Sequence, residues 1–427
     1  MIERRDLVKN SYILGLVPLA KYFWGSSIYA QSNFSLNKKL VWINMRGGWD
    51  ILETTDPKVN SNDSVDVSYD YSLSHPLAGS NGVRIGRWLP NIAAHGSDVV
   101  VVRGLAMGTT SHDAGPVYMD TGVLSNAGTV NAASIPSIIA SESEATIPII
   151  QLNGGTNPQI DRGLLNPVSV VRAQNLRLYR SMYPETEKSM EVKSRILDYL
   201  QDSISRKKVI VGENDRLSAI EAAAAKIRVQ FQNGVGSKLA LTDNDRAPFN
   251  INRPTSLGRG REDAIALALK LIKNDLVSCI NLGFGGFDTH SNQDRNLEPT
   301  LLNFDYLLGA FLTELKSANL LETTLIVVYS DFGRTPKINS RNGRDHWPVG
   351  GALLIGGGVQ GGRSVGATDE NLRALNINFD TGAADESGGQ LSPPHLAGSV
   401  VELLLGSGYM EYRDYLKPIS ALTQLRA

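Results

Sequence analysis

Five short, unbroken apolar runs, each stopped by glycine or a polar cluster, constrain this chain more than any other feature. They cover residues 40–45, 98–104, 276–282, 324–330 and 352–355, and the first ends at Arg46-Gly47-Gly48. Strands buried on both faces of a parallel sheet read in this way, because helices cover both sides and no alternation survives. Helical spacing lies between several of the runs, at 85–94, 261–273 and 301–315. Strands alternating with helices predict an α/β fold with a largely parallel central sheet.

The stretch 172–232 has a different character. It is charged and helix-rich, with Pro184 between two candidate helices. The second opens at Asn214 and carries Leu217, Ile220, Ala224 and Ile227 on one face. Asn is a good N-cap, and that spacing gives an apolar stripe. We read it as a helical insertion beside the sheet, either a cap over a site or a hairpin packed away from it. Residues 234–260 and 365–392, rich in Gly, Ser, Asn, Asp and Arg, read as long surface loops.

The first thirty residues read as an address rather than as fold. Arg4-Arg5-Asp6-Leu7-Val8-Lys9 precedes an apolar stretch from Tyr12 to Ala20, with a small-residue exit near Ala30. That order is a signal peptide, and the arginine pair is similar to the twin-arginine export motif. The apolar stretch is broken by Pro18 and Lys21 and is too short for a stable membrane span. A domain over 38–427 would follow, exported to the periplasm or beyond by the twin-arginine machinery. With 42 basic against 43 acidic residues, net −1, the chain lacks the basic footprint of a nucleic-acid binder. Its only cysteine, Cys279, leaves no intramolecular disulfide and no CxxC metal site.

Ligand-binding groups in open α/β sheets gather at the carboxyl ends of the strands. Asp50 follows the first run and Thr109-Thr110-Ser111-His112-Asp113 the second. The third leads to Phe287-Asp288-Thr289-His290, and the fourth to Asp331-Phe332-Gly333-Arg334. Arg344-Asp345-His346 comes shortly after. Three of the chain's six histidines (His112, His290 and His346) fall in this set.

Asp288 and His290, two residues apart, project from one side of an extended segment and can reach a single ion. A carboxylate with imidazoles suits zinc or manganese, with His346 as a third ligand and Asp345 as ligand or orienter. Asp50 and Asp331 end neighbouring strands. Two converging carboxylates need a cation or a shared proton, although each alone also suits a helix cap. An all-oxygen pair suits magnesium or calcium, or stays empty. A hydroxyl of Thr110 or Ser111 before a helix lies where an oxyanion binds, or simply caps that helix. Arg334 and Arg103 follow strands, and a guanidinium suits a tetrahedral oxyanion, or pairs on the surface.

Together these stretches resemble the DUF1501 family of bacterial exported proteins, a branch of the alkaline phosphatase–sulfatase superfamily. The matching residues are the Arg-Arg start, Asn44-Met45-Arg46-Gly47-Gly48-Trp49-Asp50 and Thr110-Ser111-His112-Asp113-Ala114. Gly286-Phe287-Asp288-Thr289-His290, Ser330-Asp331-Phe332-Gly333-Arg334-Thr335-Pro336 and Asp345-His346 complete them. The resemblance implies an alkaline-phosphatase-like three-layer sandwich and a metal-assisted hydrolase.

By that resemblance Ser111, or next Thr110, is the nucleophile. Asp288, His290 and His346 hold one metal, Asp50 and Asp331 a second, and Arg334 clamps the oxygens that are not transferred. Phosphatases of this superfamily have a histidine where Phe332 stands. The second site is therefore empty, calcium-like, or completed by His112 or water. With no cysteine at the nucleophile position, a formylglycine mechanism is excluded. The expected function is hydrolysis of a small or polymeric phosphate or sulfate ester. The alternative is a catalytically degenerate exported protein that binds partners at the cell surface.

Overall fold

The computed structural model describes residues 38–406 and 409, apart from 60–64, 66–68, 126–131, 157–169, 173–185, 213–216, 219–220, 222–223, 226–227, 230–231, 233 and 252–259. The export segment and the cap at Asn214 lie outside the described residues.

The apolar runs pair into one eight-stranded sheet. Its strands are β1 (Lys39–Arg46), β2 (Val99–Ala106), β3 (Ile147–Leu152), β4 (Val170–Arg172) and β5 (Val277–Gly285). They continue with β6 (Thr324–Ser330), and, after a two-stranded ribbon of β7 (Gly333–Arg334) and β8 (His346–Trp347), with β9 (Val349–Gly356) and β10 (Arg363–Val365). The order across the sheet is β10-β2-β9-β6-β1-β5-β3-β4. All pairings are parallel except those of β9, which runs against both β2 and β6.

β1 shows why the sheet is buried on both sides. Val41, Ile43 and Met45 enter one core, and Leu40 and Trp42 enter the other. Alternate residues of a strand face opposite ways, so a continuous apolar run feeds two layers. Against the first core pack α7 (Arg261–Lys273) and α8 (Gln293–Ser317), and the short α1 (Pro90–Ala94) joins them. Against the second pack α2 (Ala114–Thr121), α3 (Ile135–Ser141) and α9 (Pro393–Leu405). The molecule is therefore a three-layer α/β/α sandwich, as expected.

Helix α7 takes the bounds read from its periodicity, with Glu262 and Asp263 in its first turn and Lys270 and Lys273 in its last, each complementing the helix dipole. In the 172–232 stretch, α4 (Glu187–Val211) is a 25-residue helix that enters the first core through Leu197.

Three expectations change. The helix over 85–94 shrinks to α1, because Pro90 fits only the start of a helix. Residues 84–85 instead pair with 75–76 as a ribbon. The stretch 234–260 is not all loop: α5 (Val235–Lys238) and α6 (Asp243–Arg246) form there, α6 closed by a Thr242 capping box. The strands β3, β4 and β10 add to the five expected runs, and Pro148 inside β3 obscures its pattern.

Because β1, β2, β5 and β6 run the same way, the chain segments leaving their carboxyl ends emerge along one edge.

Candidate metal centre

Two glycines let these segments close up. Gly47 and Gly48 have φ of +115° and +73°, conformations side chains rarely take. A Cβ on Gly47 would lie 2.6 Å from the Asp288 nitrogen, and one on Gly48 would strike the Phe332 ring. The turn after β1 thus lies directly on the segments after β5 and β6. Gly115 does the same for α2, whose backbone lies against the Asp331 carbonyl.

Into this junction come three imidazoles and a carboxylate. His290 Nε2 lies 3.1 Å from Asp288 Oδ1 and 3.0 Å from His346 Nε2. His112 Nε2 and His346 Nε2 are each 3.6 Å from the same Asp288 oxygen. Donor atoms of His112, Asp288 and His346 all fall within 4.8 Å of one another, a spacing that can hold a metal ion.

The far nitrogen of every ring is committed to an oxygen. His112 Nδ1 is 2.9 Å from Asp331 Oδ2, His290 Nδ1 2.9 Å from Asp345 Oδ1, and His346 Nδ1 2.9 Å from the Thr110 carbonyl. A hydrogen on each Nδ1 leaves a lone pair on each Nε2, which is how metal-binding histidines are usually held. The donor set therefore fits a resident divalent ion. His346 lies below the ordinary imidazole range through burial and the nearby Arg334 charge, which favours the neutral ligand form. His112 is raised by its hydrogen bond with Asp331, against the effect of burial. Burial pushes Asp288 up, yet the Arg334 hydrogen bond and charge bring it below the usual carboxylate range. Asp345 is also lowered, chiefly by its hydrogen bond with His290.

Arg334, expected to clamp a substrate's oxygens, is held by the protein in this structure. Its guanidinium is fully buried and donates to Gly47 O, to Gly48 O at 2.8 Å, to Arg344 O at 3.0 Å and to Asp288 Oδ1 at 2.7 Å. The fork fixes the glycine turn and Asp288, and its Nη1 lies 3.5 Å from His290 Nε2.

Asp50 and Asp331 also part company. Asp50 is buried, accepts from Leu52 N at 2.9 Å and from Gln293, and pairs with Arg344 Nε at 3.0 Å. A guanidinium thus supplies the positive charge that a second cation was expected to bring. Asp331 Oδ2 takes Gly47 N at 3.0 Å as well as His112. Arg344, next to Asp345 in sequence, has a structural role that its motif does not announce. Its signal was a cation beside acidic strand ends.

Phe332, standing where the resemblance expects histidine, packs its ring 4.8 Å from that of His112 and 4.4 Å from that of His346. It serves as an apolar wall for two imidazoles. Thr110 and Ser111 are exposed at the head of α2, and Ser111 Oγ accepts from Asp113 N at 3.2 Å and Ala114 N at 3.3 Å. Arg103 turns elsewhere, to the Thr55 and Arg84 carbonyls.

Fold and site together define a three-layer α/β protein with an Asp/His cluster at its strand carboxyl ends. Residues 37–377 match the family described as "Protein of unknown function (DUF1501)", and the chain belongs to that family. No curated protein matches it. Among solved structures it is similar to the lipoteichoic acid synthase LtaP from Listeria monocytogenes, at 11% identity and TM-score 0.39, covering 92% of this chain and 78% of that one. It is similar to a protein in the alkaline phosphatase superfamily from Vibrio parahaemolyticus, at 11% identity and TM-score 0.37, covering 95% and 76%. The PsFucS1 sulfatase from Pseudoalteromonas sp. is likewise similar, at 10% identity and TM-score 0.38, covering 100% and 78%.

Proposed function

We propose that this chain is an exported, metal-dependent hydrolase of phosphate or sulfate esters. The position of Ser111 carries the reading. Thr110 on one side of it gives its carbonyl to His346, and His112 on the other side reaches Asp288. A hydroxyl at the head of α2 is thereby bracketed by one residue that contacts the Asp/His cluster and one that belongs to it.

Asp288, His290 and His346 would hold the ion, zinc or manganese by their donor types. A bound ion polarises an ester oxygen and offsets the negative charge that develops there. Ser111 Oγ would be the attacking atom, and the N–H groups of Asp113 and Ala114 that it accepts from favour negative charge on that oxygen. Arg334 positions Asp288. Export rests on Arg4-Arg5 ahead of the apolar stretch. No helix among the described residues is long and apolar enough to cross a membrane.

A second reading, an exported protein of this fold that binds a partner without turnover, is favoured by the Asp50–Arg344 pair, which occupies one expected ligand. Metal analysis of the purified protein, with a panel of phosphate and sulfate esters tested on wild type and Ser111→Ala, separates the two. Turnover that needs both the ion and Ser111 supports the enzyme. A metal-loaded protein inert to every ester supports the binding protein.

A further inference from the structure

We propose that His112 is a fourth ligand of this same ion, with Asp331 acting through His112 instead of holding a second cation. The proposal rests on the metal-binding reading above and goes beyond its three ligands.

Geometry carries it. Around an ion with bonds of about 2.0–2.1 Å, neighbouring donors lie about 2.9 Å apart in octahedral and about 3.4 Å apart in tetrahedral arrangements. Four of the six separations fall around those values: His290–His346 at 3.0 Å, His290–Asp288 at 3.1 Å, and His112–Asp288 and His346–Asp288 at 3.6 Å each. Donors of His112, Asp288 and His346 all lie within 4.8 Å of one another. His112 is held no differently from the other two rings: Nδ1 meets an oxygen and Nε2 faces Asp288. Its ring meets His346 edge-on at 4.7 Å, and Phe332 backs both.

Charge points the same way. Asp331 is buried, with a side chain 3% exposed; its Oδ2 takes Gly47 N and His112, and its Oδ1 has no hydrogen-bond partner. Asp50 is matched by Arg344. Asp50 therefore needs no second ion for charge balance. The cluster itself remains open on one side, with side chains 37%, 53% and 26% exposed at His112, Asp288 and His346. The structure thus favours one ion per chain, in a set of three imidazoles and one carboxylate.

The test uses the full chain, stripped with chelator and titrated with Co²⁺, reading stoichiometry, affinity and the number of imidazoles by X-ray absorption. Wild type should bind one Co²⁺ with three imidazoles. His112→Ala should retain one ion with two imidazoles and weaker binding. Asp331→Asn should keep three imidazoles but lose about 10–100-fold in affinity, the usual cost of removing a ligand's hydrogen-bond partner. Unchanged melting of the metal-free variants shows that they fold. Two imidazoles in wild type, or an unaltered His112→Ala, overturns the fourth ligand while leaving the metal reading intact. Two ions in wild type, one of them lost in Asp331→Asn, overturns it by giving Asp331 to a second cation. No Co²⁺ in wild type overturns the metal reading itself.

Discussion

His290 and His346 point their Nε2 atoms at each other across 3.0 Å, while Asp345 and the Thr110 carbonyl hold their Nδ1 atoms. Two lone pairs at that distance repel unless a cation or proton lies between them. A bound ion would therefore relieve the fold. Metal at 100 times its Kd should add about 2.7 kcal/mol to stability, since anything that binds only the folded state does so. His290→Ala should abolish that gain. Thermal melts with and without metal check it, and an equal metal-induced shift in both proteins would refute the assignment of His290.

Asp288 and Arg334 form the support of the cluster. Arg334→Ala removes the charge partner of Asp288 and leaves the Gly47, Gly48 and Arg344 carbonyls without their donor. Each buried acceptor left unpaired typically costs about 1–3 kcal/mol. Arg334→Lys keeps the charge but cannot reach four acceptors as a fork does, so an intermediate loss is expected. Urea unfolding of the three proteins tests the order. Metal affinity should fall with it, because the Asp288 oxygen would no longer be fixed.

The frame and the chemistry were legible to different degrees, for physical reasons. Strands β1 and β6 announce themselves because burial on both faces makes them continuous apolar runs. Asp288, His290 and His346 were legible as a group because strand ends of one direction share an edge. The antiparallel course of β9 was hidden, since its buried run looks like any parallel strand. The Asp50–Arg344 pair joins residues from distant parts of the chain, and no local pattern announces it. Arg334 is ambiguous for a related reason. A guanidinium after a strand looks the same in sequence whether it faces a ligand or backbone carbonyls.

A further prediction concerns pH. Asp120 is fully buried beneath the sheet end, its Oδ1 accepting from Trp42 Nε1 at 2.7 Å and Tyr329 Oη at 2.5 Å. Burial pushes its carboxyl up from 3.8 to about 6, despite hydrogen bonds that favour the charge. The folded state thus holds this proton more tightly than the unfolded state. Its contribution to stability is full below about pH 4 and is lost as pH rises through about 6. A shift of that size corresponds to about 3 kcal/mol. Asp120→Asn keeps an oxygen for both donors and cannot ionise. Its stability relative to wild type should therefore rise between pH 4 and 7, as measured by urea unfolding across that range; a constant difference would refute the shift.

Ser111 offers the last prediction, and it separates chemistry from architecture. Its hydroxyl caps α2 through Asp113 N and Ala114 N, and loss of such a cap costs about 1 kcal/mol. Ser111→Ala should therefore lower stability by about that amount. It should leave metal affinity unchanged, because the contacts of Thr110 and His112 with the cluster come from their own atoms. Ester hydrolysis, in contrast, should fall to background. Ser111→Thr keeps a hydroxyl that can cap, so it should restore stability and retain some turnover if the oxygen itself attacks. If Ser111→Ala hydrolyses esters at the wild-type rate, then the hydroxyl is only a helix cap and another group performs the attack.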